Sequence, residues 1–128
     1  MKTTLMVAAA AFALATPAAH AAEADGAHLY ANHCAACHGA RGEGDGPVAA
    51  LLTVTVPSLR ELAKRNGGKF PADTVKSYVD GRNPRPVHGD RTMPVWGEVF
   101  SAATAGDEPV VAARIALLAA FIEELQRR

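Results

Sequence analysis

Apolar residues follow three different patterns along the 128-residue chain. Residues 5–15 form an unbroken apolar run of eleven, with Lys2 before it and Pro17 after it. Near the other end, Val111, Ile115, Leu118, Phe121, Ile122 and Leu125 recur at steps of three and four, the spacing that puts apolar side chains on one face of a helix. Asp107 and Glu108 precede Pro109, which suits a first helical turn, while Arg127 and Arg128 complement the C-terminal end of the dipole. Asp25 is a good N-cap for an earlier helix, on which Ala27, Tyr30, Cys34 and Cys37 share a face. Between them lie shorter helical candidates at 48–52, 58–65, 72–79 and 95–103. Ser58 and Glu61 have capping-box spacing, and Gly81 is a natural C-cap. No stretch sustains strand alternation, because Thr53-Val54-Thr55-Val56 ends at once on Pro57.

The first apolar run reads as an export signal. A helix of eleven residues rises only about 16 Å, well short of a hydrocarbon core of roughly 30 Å, so stable membrane insertion is not expected. The positive start, the short core and the Ala19-His20-Ala21 end are those of a secretory signal peptide cleaved near Ala21. Residues 1–21 are therefore the signal and 22–128 the working domain, with a periplasmic destination. Fifteen of those 21 residues are apolar, so the 49% apolar share of the whole falls to 45% in the remaining 107. Six aromatics remain to fill a modest core. Thirteen basic groups balance thirteen acidic ones, which excludes the basic footprint of a nucleic-acid binder.

Both cysteines stand in Cys34-Ala35-Ala36-Cys37-His38, the C-x-x-C-H pattern of covalent haem attachment. Two thiols three residues apart on a helical turn face one side and can each add to a haem vinyl group, and the adjacent imidazole can reach the iron. A thioredoxin-like redox pair shares the spacing but needs a βαβ setting that is missing here. A zinc site needs a second pair of ligands, and none follows. The glycine-rich stretch 39–46 lacks the Gly-Lys-Ser/Thr ending of a phosphate loop and reads as a tight turn.

A second axial ligand is then needed. Met93 is the one thioether left after the signal, 55 residues beyond His38, and Pro94 holds it extended in a loop. It is the expected ligand. His88 is the alternative, giving a bis-imidazole iron, while His28 and His33 lie too near the attachment motif to reach the opposite face.

Cys34 to His38, the loop Gly39-Ala40-Arg41-Gly42-Glu43-Gly44-Asp45-Gly46-Pro47 and the segment Met93-Pro94-Val95-Trp96-Gly97 together resemble a small monohaem class I cytochrome c of bacterial type. The resemblance implies an all-α, compact cytochrome c fold of roughly four to five short helices around one covalent haem. Its first and last helices cross, with Gly26, Tyr30 and Phe121 as counterparts of the family's crossing residues. The cofactor implied is one haem c with its iron, bound through Cys34 and Cys37 and ligated axially by His38 and Met93. The resemblance also implies a carbonyl near Pro47 that accepts the other imidazole N–H. Arg82, Arg85, Arg91, Tyr78 and the Trp96 indole are candidate donors to the propionates, with Arg91 and Trp96 foremost.

The expected activity is one-electron transfer by a carrier, not an enzyme. The partners implied are redox proteins: a donor dehydrogenase or quinol-oxidising complex, and a terminal acceptor. A monomer is expected, with no nucleic acid bound. The alternatives are a haem subunit docked on one dehydrogenase or oxidase complex and, from a different class, an open-site haem sensor or enzyme if Met93 does not ligate.

Overall fold

In the computed structural model, residues 25–83 and 92–126 are described. Among them are six α-helices, one 3-10 turn and no strand. The helices are α1 (Gly26–His33), α2 (Ala35–His38), α3 (Leu62–Arg65), α4 (Ala72–Asp80), α5 (Trp96–Ala103) and α6 (Glu108–Leu125), with the 3-10 turn at Ala49–Leu51. The all-α expectation holds. The expected signal at 1–21 and the terminal pair Arg127 and Arg128 lie outside the described residues.

The core is the apolar stripe of α6. Val111, Ile115, Leu118, Ala119, Ile122 and Leu125 are all buried along it. Asp107 caps this helix by accepting a hydrogen bond from the Val110 N–H at 3.2 Å. Helix α1 lies against the stripe, capped in turn by Asp25, which accepts from the Ala27 N–H. Their contact depends on Gly26, where a side chain would collide with the Leu117 carbonyl. One turn later the rings of Tyr30 and Phe121 meet at 5.1 Å. Gly26, Tyr30 and Phe121 thus come together where α1 and α6 pack.

Helix α4 adds Val75 and Val79 to the same core and ends at Gly81, whose φ of 71° makes the left-handed cap. Helix α5 closes the other flank with Phe100, 1% exposed.

Two local expectations fail for tertiary reasons. The capping box at Ser58 and Glu61 does not form, and α3 starts only at Leu62. Instead the Ser58 hydroxyl donates to the Gly42 carbonyl and the Leu59 N–H donates to the same oxygen at 2.7 Å, so a neighbouring loop takes the cap. The candidate at 48–52 shrinks to a 3-10 turn. Segment 58–66 is then tied to α6 by Gln126, whose side chain accepts from Ala63 N–H at 3.1 Å and donates to Leu59 O at 2.6 Å.

Candidate haem site

The attachment motif straddles the joint between α1 and α2. Cys34 N–H still donates to Tyr30 O at 2.9 Å, continuing α1, and His38 N–H donates to Cys34 O at 2.9 Å, which makes the turn of α2. This nearly continuous path directs Cys34, Cys37 and His38 toward one cavity of about 280 Å³. Burial pushes the Cys34 thiol up to about 12, with Cys37 adding to the effect, so it is protonated at neutral pH. Neither cysteine is in a disulfide.

A backbone lattice holds this side of the cavity. After His38 the chain turns back, with Gly44 N–H donating to His38 O at 2.8 Å, Gly46 N–H to Cys37 O and Val48 N–H to Ala36 O. A side chain on Gly46 would strike the Ala35 and Ala36 carbonyls. The buried Tyr30 hydroxyl donates to Gly39 O at 2.8 Å and fastens the turn to α1.

The partner of the His38 imidazole corrects an expectation. Nδ1 lies 3.3 Å from the carbonyl of Pro57, not of Pro47. The bond from Val48 to Ala36 keeps 46–48 on the backbone of α2 with Pro47 exposed, and the chain reaches the ring only ten residues later. Desolvation holds the His38 pKa below its ordinary value, opposed in part by the hydrogen bond to Pro57. The ring is thereby kept neutral, with Nε2 left for a metal.

Segment 52–57 forms the next wall, with Leu52, Val54, Val56 and Pro57 facing the cavity. Met93, Pro94 and Trp96 line the cavity as well. Met93 is half-buried and shares the cavity with His38. His33, next to Cys34, also lines the cavity. Its ring meets Trp96 at 5.0 Å and Phe100 at 5.2 Å, both edge-on. Burial, reinforced by Arg114 and His28, lowers the His33 pKa.

Of the candidate propionate donors, Tyr78 and Trp96 line the cavity. Arg82 does not. It is engaged by Asp80 at 2.6 Å and Glu108 at 2.7 Å. Arg85, His88 and Arg91 lie outside the described residues.

Pro57 and the 52–56 wall were not singled out from sequence, and His33 was weighed there only as an axial ligand. A faint signal existed in the alternation of Val54 and Val56 ahead of a proline, which marks an extended segment able to offer side chains to one face.

The donor set suits a haem: two thiols, one neutral imidazole and one thioether around a largely apolar cavity. The family model described as Cytochrome c matches residues 23–126. The chain belongs to the cytochrome c family. It is a class I-type cytochrome c, and its cofactor is covalently attached haem c with iron. Membership makes haem-based electron transfer its role, with redox proteins as partners. No curated protein and no solved structure matches this cytochrome. Among its described residues no helix is long and apolar enough to cross a membrane.

Proposed function

We propose that this cytochrome is a periplasmic one-electron carrier in which Cys34 and Cys37 hold the haem by thioether bonds while His38 and Met93 are the axial ligands. The observation that supports it is the convergence of all four side chains on one cavity with largely apolar walls. Once bound, the haem iron supplies a ferrous/ferric couple.

The chain's own contribution is positional and electrostatic. Pro57 O accepts the Nδ1–H of His38, which fixes the ring's rotation and raises the basicity of Nε2. Leu52, Val54, Val56 and Pro94 give the pocket apolar walls, which with the haem in place limit the solvent rearrangement that accompanies a change of charge. Trp96 N–H and Tyr78 O–H, both at the cavity, are the donors we assign to the propionates. With both axial positions filled by protein, no position stays open for oxygen or peroxide, and the protein carries electrons without turning over a substrate. The signal directs export and is cleaved near Ala21, and the partners are a donor dehydrogenase or quinol-oxidising complex and a terminal acceptor.

A second reading, a haem subunit docked on one dehydrogenase or oxidase complex, is favoured by an apolar strip beside the cavity. Leu51 is 81% exposed, with Leu52 and Val54 exposed nearby, and no charged residue occurs from Gly46 to Leu59.

Absorption spectra of the oxidised and reduced protein test the main proposal. Sharp reduced c-type bands with a weak red methionine-to-iron band in the ferric protein are expected. Met93→Ala should remove the red band, and its survival would assign the ligand elsewhere. A high-spin ferric spectrum of the unsubstituted protein would show an open site and overturn the carrier reading.

A further inference from the structure

The two sides of the cavity raise a question of anchoring. His38 belongs to a helix and a backbone lattice, whereas Met93 sits in a loop before α5. Whatever positions the first turn of α5 positions Met93 as well. The contacts of that turn lead to Gly97, four residues after Met93 and buried. A Cβ built on Gly97 would collide with the Asp80 carboxylate and lie 2.6 Å from Arg82 Nε and 2.8 Å from the Asp80 carbonyl. Gly97 therefore packs directly on the end of α4.

That end is itself fastened by the Arg82 guanidinium. Arg82 Nε and Nη2 donate to the two carboxylate oxygens of Asp80 at 2.6 and 3.1 Å, a paired geometry that only a planar fork provides. Its Nη1 donates to both oxygens of Glu108 at 2.7 and 2.8 Å, in the first turn of α6. An isolated surface ion pair contributes little. This one differs because it joins residues 26 apart in sequence and forms part of the surface against which a third helix packs.

We propose that Arg82 is a positioning residue for the Met93 loop: by joining α4 to α6 it forms the seat of Gly97 and so holds the methionine sulfur toward the iron. The inference rests on the assignment of Met93 as axial ligand. Arg82 touches neither haem nor iron and acts through Asp80, Glu108 and Gly97.

The test is the affinity of the ferric, haem-loaded protein for imidazole, which binds by displacing a loosely held axial thioether. Arg82→Gln should raise that affinity about tenfold. The midpoint of helix unfolding, followed by far-ultraviolet circular dichroism, should stay that of the unsubstituted protein. Arg82→Lys, which keeps the charge and loses the fork, should fall between the two. Should Arg82→Gln fail to fold, Glu108→Gln carries the same test, since it leaves the Asp80 pair intact and cuts the tie to α6. An affinity changed by less than about twofold, or one that rises only as overall stability falls, overturns the proposal. The parent assignment fails by a different sign, the absence of the red band from the unsubstituted protein.

Discussion

The two walls of the haem cavity are held in different ways. On the His38 side the ties are backbone to backbone: Gly44 to His38, Gly46 to Cys37 and Val48 to Ala36, with one buried hydroxyl, Tyr30, added. On the Met93 side, among the described residues, the ties are side chains: the Arg82 fork beneath Gly97 and the ring contact between His33 and Trp96. A backbone lattice yields only when the element containing it unfolds, whereas side-chain ties can release a loop while the helices stay folded. The histidine side should therefore respond to substitution as part of the whole fold, and the methionine side as a local unit.

The largest effect comes from the thiols. Replacing Cys34 and Cys37 together by alanine should leave no haem on the chain after denaturing electrophoresis with haem staining, whereas Met93→Ala retains full staining. Equal loss in both would erase the contrast between a covalent side and a ligating side.

Gly26→Ala comes next. Its methyl would meet the Leu117 carbonyl, a backbone atom that cannot rotate away, and α1 would be pushed off α6. A cost of about 3 kcal/mol is expected, read as a lower midpoint in denaturant unfolding. The haem band and the helical signal should be lost together. If they separated, the histidine side would not be part of the cooperative core.

Tyr30→Phe is smaller. It leaves the Gly39 carbonyl without its buried donor and should cost about 1–2 kcal/mol, again across the whole fold. A Tyr30→Phe protein with unchanged unfolding but raised imidazole affinity would reverse the comparison.

The smallest effect is a pH dependence on the methionine side. The His33 pKa is depressed in the folded state by burial, with Arg114 and His28 contributing, so the unfolded chain takes up its proton first as pH falls. Folding stability should therefore decline as pH drops below about 6.5, the ordinary value for histidine, and level off below the folded pKa. His33→Phe should flatten this decline in thermal melts recorded across that range. An unchanged slope would assign the dependence to another group.

How much of this was legible depends on the range of each signal. The stripe of α6, the cap at Asp25 and the left-handed Gly81 are encoded within a few residues of where they act, and all were readable in sequence. The Cys34, Cys37 and His38 cluster was equally local, because one helical path carries all three. Pro57 was not, because the choice between two proline carbonyls depends on how far the chain must travel before it passes the imidazole. That path is set by the turn that pins Val48 to Ala36. Ser58 shows the same limit: its local partner was Glu61, but the Gly42 carbonyl, 16 residues away, takes the hydroxyl. His33 entered the cavity because α5 brings Trp96 and Phe100 to it, an encounter between distant segments.

Gln126 gives the chain a timetable as well as a shape. Its amide joins the last described turn to Ala63 and Leu59, which precede it by 63 and 67 residues. Gly26, close to the first described residue, finds its seat only on the late residue Leu117. A nascent chain lacking α6 has neither the partner for α1 nor the stitch for segment 58–66. Contacts of such long sequence separation form late and slowly. The helix that bears the attachment motif is thus without its packing partner until α6 is present, and until then Cys34, buried in the finished fold, is left open.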